Sequence, residues 1–195
     1  MIETIYIVGP ASAGKSEFAG ALSAALAQRT RSPWPVGDTS WPLYKWLAEL
    51  CAAAPWPGPE HANVAAWLDY ILARKEQHRP MLVKLADIAR QIDPCYFHSE
   101  AKDVEGTRIL VGIRKRLEIP GTSALTPDSY PTFSQFIRVR GKAVIYVDRP
   151  DFPSVDDGFD KEFFKAIAHH TVVNRGGDVA GLKIQAQMLA EELGK

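Results

Sequence analysis

The feature that most constrains this chain is the octapeptide GPASAGKS at residues 9–16, set between two segments of different periodicity. Before it, residues 2–8 (IETIYIV) form a short apolar, β-branched run that ends at Gly-Pro and reads as a buried strand. After it, residues 16–28 place Ala and Leu at helical spacing. Gly9, Gly14, Lys15 and Ser16 satisfy the spacing G-x-x-x-x-G-K-[S/T]. Glycines at these places permit a loop whose backbone N–H groups turn toward phosphate oxygens, and the helix that begins there adds its positive N-terminal end. The pattern predicts that Gly9, Ala11, Ser12, Ala13, Gly14, Lys15 and Ser16 hold the tail of a nucleoside triphosphate, with ATP the expected donor. Lys15 would reach the β- and γ-phosphates, and Ser16 would offer its hydroxyl to Mg²⁺. Pro10 removes one N–H from the loop and leaves several donors.

Further apolar runs alternate with helical patterns. Strands are expected at 34–37 (ending at Asp38), 108–113, 143–147 and 171–173. Helices are expected at about 42–54, at 63–78, at 80–92 with Pro80 in the tolerated first turn, and from Asp93-Pro94 to about Val104. Residues 120–131 are rich in Pro, Ser, Thr and Gly and read as loop, as do 149–160. Asp178 is expected to cap a last helix with Val179, Leu182, Ala186, Leu189 and Leu193 along one stripe. This alternation implies an α/β fold, a roughly five-stranded, mainly parallel sheet flanked by helices in three layers. Ligands in such sheets bind beyond the carboxyl ends of the strands. That edge would gather residues 9–16, Asp38, Arg114, Asp148 and Asn174. The expected organisation is one domain over 1–195, with a helical acceptor-binding subregion at about 40–105 and a lid loop at about 149–160.

The chain carries 23 Lys+Arg against 23 Asp+Glu, so its formal charge is zero. A surplus of cations is what grips nucleic acid non-specifically, so this balance argues against a nucleic-acid binder. Two cysteines, Cys51 and Cys95, outside any Cys-x-x-Cys pair make a reduced, cytoplasmic setting the expectation. Residues 1–16 show no basic segment followed by a long apolar run, and no stretch reaches the length of a membrane span, so neither a leader nor a membrane partner is expected. The sequence leaves a monomer and a homodimer equally open.

The string Asp103-Val104-Glu105-Gly106 matches D-x-x-G but precedes its strand rather than following it, and no N-K-x-D string occurs, which argues against a GTPase. Phosphoryl transfer needs positive charge around the transferred group. Arg74 and Arg79 at a helix end, Arg114 directly after a buried strand, and Arg138, Arg140 and Arg149 around the next strand are the candidates. Arg114 stands out, because it leaves a strand at the ligand edge. Asp38 could orient an acceptor, lie in the shell of a Mg²⁺ ion, or cap the next helix. His169 and His170 lack zinc-ligand spacing and read as structural. Of Trp34, Trp41, Trp46, Trp56 and Trp67, most are expected in the core, with one available to stack on a base.

In their order along the chain, IYIVGPASAGKS, DTSWPLYKWLAEL, RKEQHRPMLVKLADIARQIDP, ILVGIRKRLEI, AVIYVDRP and HHTVVNRGGDVAGLKIQAQMLAEEL resemble the bacteriophage deoxynucleoside monophosphate kinases, a branch of the P-loop kinases. The resemblance implies transfer of the ATP γ-phosphate to a (deoxy)nucleoside monophosphate. Under it, Lys15 and Ser16 bind ATP and Mg²⁺. Arg74, Arg79 and Arg114 hold the acceptor phosphate or the transferred charge, with Asp38 beside them. Glu118 orients Arg114 or touches the acceptor, Arg149 is a lid arginine, and Asn174 lies near the adenine. Lys15, Arg114, Arg149 and Asp38 would form the catalytic group. Two alternatives stand beside it. One is a P-loop kinase with another acceptor, such as dephospho-coenzyme A or a modified base in DNA; the other is a nucleotide-binding module without catalysis. This chain has Gly112-Ile113-Arg114 where family members often carry an acidic residue, and its 120–131 segment is atypical.

Overall fold

Parallel strands can be joined only by crossovers that carry the chain back to its starting end, and helices supply them here. In a computed structural model, which describes residues 2–54, 57–59, 63–102, 106, 108–151 and 159–194, five strands form one sheet. They are β1 (Thr4–Val8), β2 (Val36–Asp38), β3 (Ile109–Val111), β4 (Lys142–Asp148) and β5 (His170–Val173). Their spatial order is β2-β3-β1-β4-β5 and every pairing is parallel. The expected α/β layering is thus present, with the sheet parallel throughout.

Alternation along β1 divides the interior. Ile5 and Ile7 face one core with Ile109, Val111, Ile145 and Val147, closed by α1 (Lys15–Thr30) and α8 (Val179–Leu193). Tyr6 and Val8 face the other, closed by α6 (Tyr130–Val139) and α7 (Lys161–Ile167). A strand covered on both faces must be apolar at consecutive positions, which is why β1 and β4 read as unbroken hydrophobic runs. A third core belongs to helices alone: α2 (Trp41–Ala53), α3 (Val64–Ala73), α4 (Lys75–Ile92) and α5 (Tyr96–Lys102) enclose Leu47, Trp67, Ile71, Ala86 and Phe97. Among the described residues no helix is long and apolar enough to cross a membrane.

Several boundaries differ from the sequence reading. The helix expected at 63–78 ends at Ala73, and the next begins at Lys75 and runs through Pro80. Arg74, at φ −129° and ψ 38°, is the single non-helical residue between them. It re-aims the chain so that Trp67 and Ile71 on one side and Leu82, Ala86 and Ala89 on the other enter the same core. Pro80 therefore sits inside a helix, not in its first turn, and that burial outweighs the lost N–H. Helices α6 and α7 have no counterpart in the sequence reading. Tyr130 and Pro131, read as loop, open α6, where Pro is harmless in the first turn and Phe133 and Ile137 are buried one turn apart. The expected helix after Asp93-Pro94 is observed as Tyr96–Lys102; its end near Val104, most of the Asp103–Gly106 string, Trp56 and positions 152–158 of the expected lid lie outside the described residues. Asp178 does cap α8, accepting a hydrogen bond from the Gly181 amide at 2.9 Å.

His169 shows why the histidine pair is structural. Its Nδ1 accepts from the Val144 amide at 2.9 Å, and its Nε2 lies 3.1 Å from the Ser134 carbonyl, the arrangement of a neutral ring that donates there. Burial holds both His169 and His170 below the ordinary histidine pKa.

Candidate functional site

Register aligns the strand ends. Ile7 lies opposite Val111 and Ile145, Asp38 opposite Val111, and Asp148 opposite Val173. Gly9, Thr39, Gly112, Arg149 and Asn174 therefore leave the sheet at one edge, the one expected to receive ligand.

The 9–16 turn is built on backbone conformations that most residues avoid. Gly9 adopts φ +148°, and a Cβ there would stand 2.3 Å from the Val147 carbonyl oxygen. Gly14 adopts φ +91°, and its Cβ would meet Asn174 Nδ2 at 2.7 Å and Leu182 Cδ1 at 2.9 Å. Both places exclude a side chain on steric grounds as well as by torsion. Ser12, at φ +57°, is left-handed without being glycine. Two side chains from the neighbouring strand ends hold the turn. Arg149 Nη1 donates to the Ser12 carbonyl at 3.0 Å, and Asn174 Nδ2 donates to the Ala13 carbonyl at 3.0 Å. Lys15 Nζ donates to the carbonyls of Gly9 and Pro10 at 2.9 and 2.5 Å, so its ammonium lies across the turn. The amides of Ala13 and Gly14 have no acceptor among the described residues. Helix α1 starts at Lys15 with its positive end on this turn.

Beside the turn, under the ends of β2 and β3, opens a cleft of about 710 Å³. Its lining carries six basic residues (Lys75, Arg79, Lys84, Arg90, Arg114, Lys115) against three acidic ones (Glu76, Asp87, Glu118), so it favours an anion. Leu43, Tyr44, Pro80, Leu82, Val83 and Phe97 supply an apolar and aromatic wall. Glu118 organises the basic side. It is 2% exposed, and its Oε1 accepts from Arg90 Nε at 2.6 Å while its Oε2 accepts from the Arg114 amide at 2.8 Å. Arg90 also donates through Nη1 to Asp87 at 3.1 Å and lies over the Phe97 ring. Arg79 is engaged by Glu76 through two 3.0 Å hydrogen bonds, which holds the Glu76 carboxyl below the usual range. Burial pushes the Tyr44 phenol up, and the Asp38 carboxylate adds to that shift.

Compared with protein-family models and with curated proteins, the chain matches none.

Of the residues singled out in the sequence, Arg79, Arg114 and Glu118 come together in the cleft, while Lys15, Ser16, Arg149 and Asn174 come together at the turn. Arg74 stands apart: it lies over the Tyr70 ring at 4.1 Å and is not among the residues lining the cleft. Asp38 ends β2 at the cleft rim, and its Oδ1 accepts from the Ser40 amide at 2.8 Å. Ser40, not Asp38, is the N-cap of α2, so Asp38 shapes the turn into that helix. None of Trp34, Trp41, Trp46 and Trp67 lines the cleft; Tyr44 and Phe97 are its aromatic residues. Arg90 and Asp87 were not anticipated. Arg79 and Arg90 are eleven residues apart, three helical turns, and share a face only when α4 is one continuous helix.

Proposed function

We propose that this protein is a P-loop nucleoside monophosphate kinase that transfers the ATP γ-phosphate to a (deoxy)nucleoside monophosphate, as its resemblance to the phage deoxynucleotide kinases implies. The observation that carries the reading is the adjacency of two anion-receiving features on one sheet edge: the glycine turn after β1, and the basic, aromatic-walled cleft beside β2 and β3. Strands β2 and β1 are separated by β3 alone, so their ends stand about 10 Å apart. A donor seated on the turn and an acceptor seated in the cleft would thus face each other across the end of one strand.

In this reading the turn binds the donor. Lys15 leaves the Gly9 and Pro10 carbonyls for the β- and γ-phosphates and neutralises charge that develops during transfer. The residues present suit Mg²⁺. The Ser16 hydroxyl forms no hydrogen bond among the described residues, and no group of three His, Cys, Asp or Glu side chains there could cage a metal. A Mg²⁺ ion held by Ser16, phosphate oxygens and water fits this donor set, and it would supply charge neutralisation on the phosphates. The cleft binds the acceptor. Its phosphate meets Arg114 and Arg90, and its base lies against Tyr44 and Phe97. An acceptor phosphate is already ionised, so no general base is needed, and Asp38 serves as a positioning or metal-shell group. The expected setting is the cytoplasm.

A coupled assay with ATP, Mg²⁺ and a panel of ribo- and deoxynucleoside monophosphates tests the proposal. Turnover with at least one monophosphate supports it. Activity confined to polymeric DNA or to another small molecule, or ATP binding without transfer, overturns it.

A further inference from the structure

Two neighbouring carbonyls in the 9–16 turn are each held by a side chain from a different strand end. A trans peptide is planar, and its C=O and N–H point in opposite directions. Fixing the Ser12 carbonyl therefore fixes the aim of the Ala13 amide, and fixing the Ala13 carbonyl fixes that of Gly14. These are two amides without an acceptor among the described residues. Resting on the nucleotide reading above, we propose that Asn174 and Arg149 are positioning residues: they aim the backbone donors of the turn at the polyphosphate by gripping the carbonyls on its outer side.

Four observations support this assignment. Ser12 is left-handed, a conformation that costs a non-glycine residue about 1 kcal/mol or more and persists only where surrounding contacts enforce it. Asn174 is itself immobilised. It is 3% exposed, and its amide donates to the Asp148 carbonyl at 2.8 Å. Its Oδ1 is buried with no partner among the described residues, so the side chain bears the cost of one orphaned oxygen while its amide nitrogen is engaged. The seat is also close-fitting. Gly14 has no room for a Cβ beside Asn174 Nδ2, and a Cβ on Gly177 would come within 3.0 Å of Arg149 Nη2. The roles differ from those implied by the resemblance, where Asn174 lies near the adenine and Arg149 belongs to a lid.

Inorganic tripolyphosphate separates the two accounts of Asn174, because it has no base. Calorimetric titration of the whole protein with tripolyphosphate and with ATP, each with Mg²⁺, should show Asn174→Ala and Asn174→Asp weakening both ligands by the same factor. The net contribution of one hydrogen bond makes that factor about tenfold. The acceptor KM should stay within about twofold, since the cleft is untouched. A loss seen with ATP and absent with tripolyphosphate assigns Asn174 to the adenosine and overturns the proposal. Unchanged affinity for both ligands does so too. Amide NMR of the ligand-free protein gives an independent reading and covers the case in which Asn174→Ala does not fold. Arg149→Ala should move the Ala13 amide resonance in the absence of any ligand, and an unmoved resonance overturns the role of Arg149. If the unaltered protein binds neither ligand, the nucleotide reading fails and takes this one with it. If it binds both and the variants bind equally well, only this inference fails.

Discussion

Removing the carboxylate of Glu118 tests the acceptor side of the site directly. The side chain is 2% exposed and accepts a charged hydrogen bond from Arg90 Nε at 2.6 Å and a second from the Arg114 amide at 2.8 Å. Hydrogen bonds to a charged group contribute about 1.5–3 kcal/mol each. Arg90 is 18% exposed and retains Asp87, so it regains some solvation when its partner is lost, which keeps the total below that for a fully buried broken pair. Glu118→Ala should therefore destabilise the fold by about 3 kcal/mol, a fall of about 6–12 °C in Tm for a chain of this size. Glu118→Gln preserves the volume and an acceptor for the Arg114 amide, so about half that loss is expected. Freed from its seat, Arg90 must be ordered anew by each acceptor molecule. The acceptor KM should rise about tenfold while the ATP KM stays put. Thermal unfolding and two-substrate kinetics on both variants provide the readouts. A Tm within about 2 °C of the parent for Glu118→Ala, or a KM change shared equally by both substrates, refutes the reasoning.

Lys15→Ala should lower turnover by several orders of magnitude, since it removes a charge that acts in the transition state; near-normal turnover in the coupled assay contradicts its role. Stability should fall in mild acid because of His169 and His170. The unfolded chain takes up their protons near the ordinary value of 6.5 and the folded chain only below it, so stability is intact above that value and drops as pH falls through the window beneath it. A thermal midpoint that stays flat between about pH 7.5 and about pH 5.5 counts against this. Pro80→Ala should raise Tm, because it restores an N–H inside α4 where proline costs a helix about 3 kcal/mol, less the entropy that proline removes from the unfolded chain. A lower Tm in that variant would show that the proline ring is needed where it lines the cleft.

The parallel α/β layering was legible because burial on both faces writes strands as continuous apolar runs, and β1, β3 and β4 are of that kind. The glycine turn was legible because Gly9 and Gly14 answer to steric limits that no other residue meets. The acceptor cleft was only partly so. Arg114 follows a recognisable strand, but the sequence reading began a new helix at Pro80, which holds Arg90 and leaves out Arg79, and with that break went the face the two share on the continuous α4. Helix α6 was hidden by composition: Pro, Ser and Thr dominate 120–131, and the apolar pair Phe133 and Ile137 that stabilises the helix falls after them. No pattern in one sequence links Asn174 to Ala13, since that contact spans 161 positions and depends on which strands become neighbours.

That strand order also dictates when the protein becomes competent during synthesis. β1 emerges first, yet both of its neighbours, β3 and β4, are made more than a hundred residues later, and the asparagine behind the turn comes later still. The octapeptide at 9–16 therefore waits, unsupported, until residue 174 has been produced, and a chain halted before that residue would carry the complete motif without the scaffold that gives it shape.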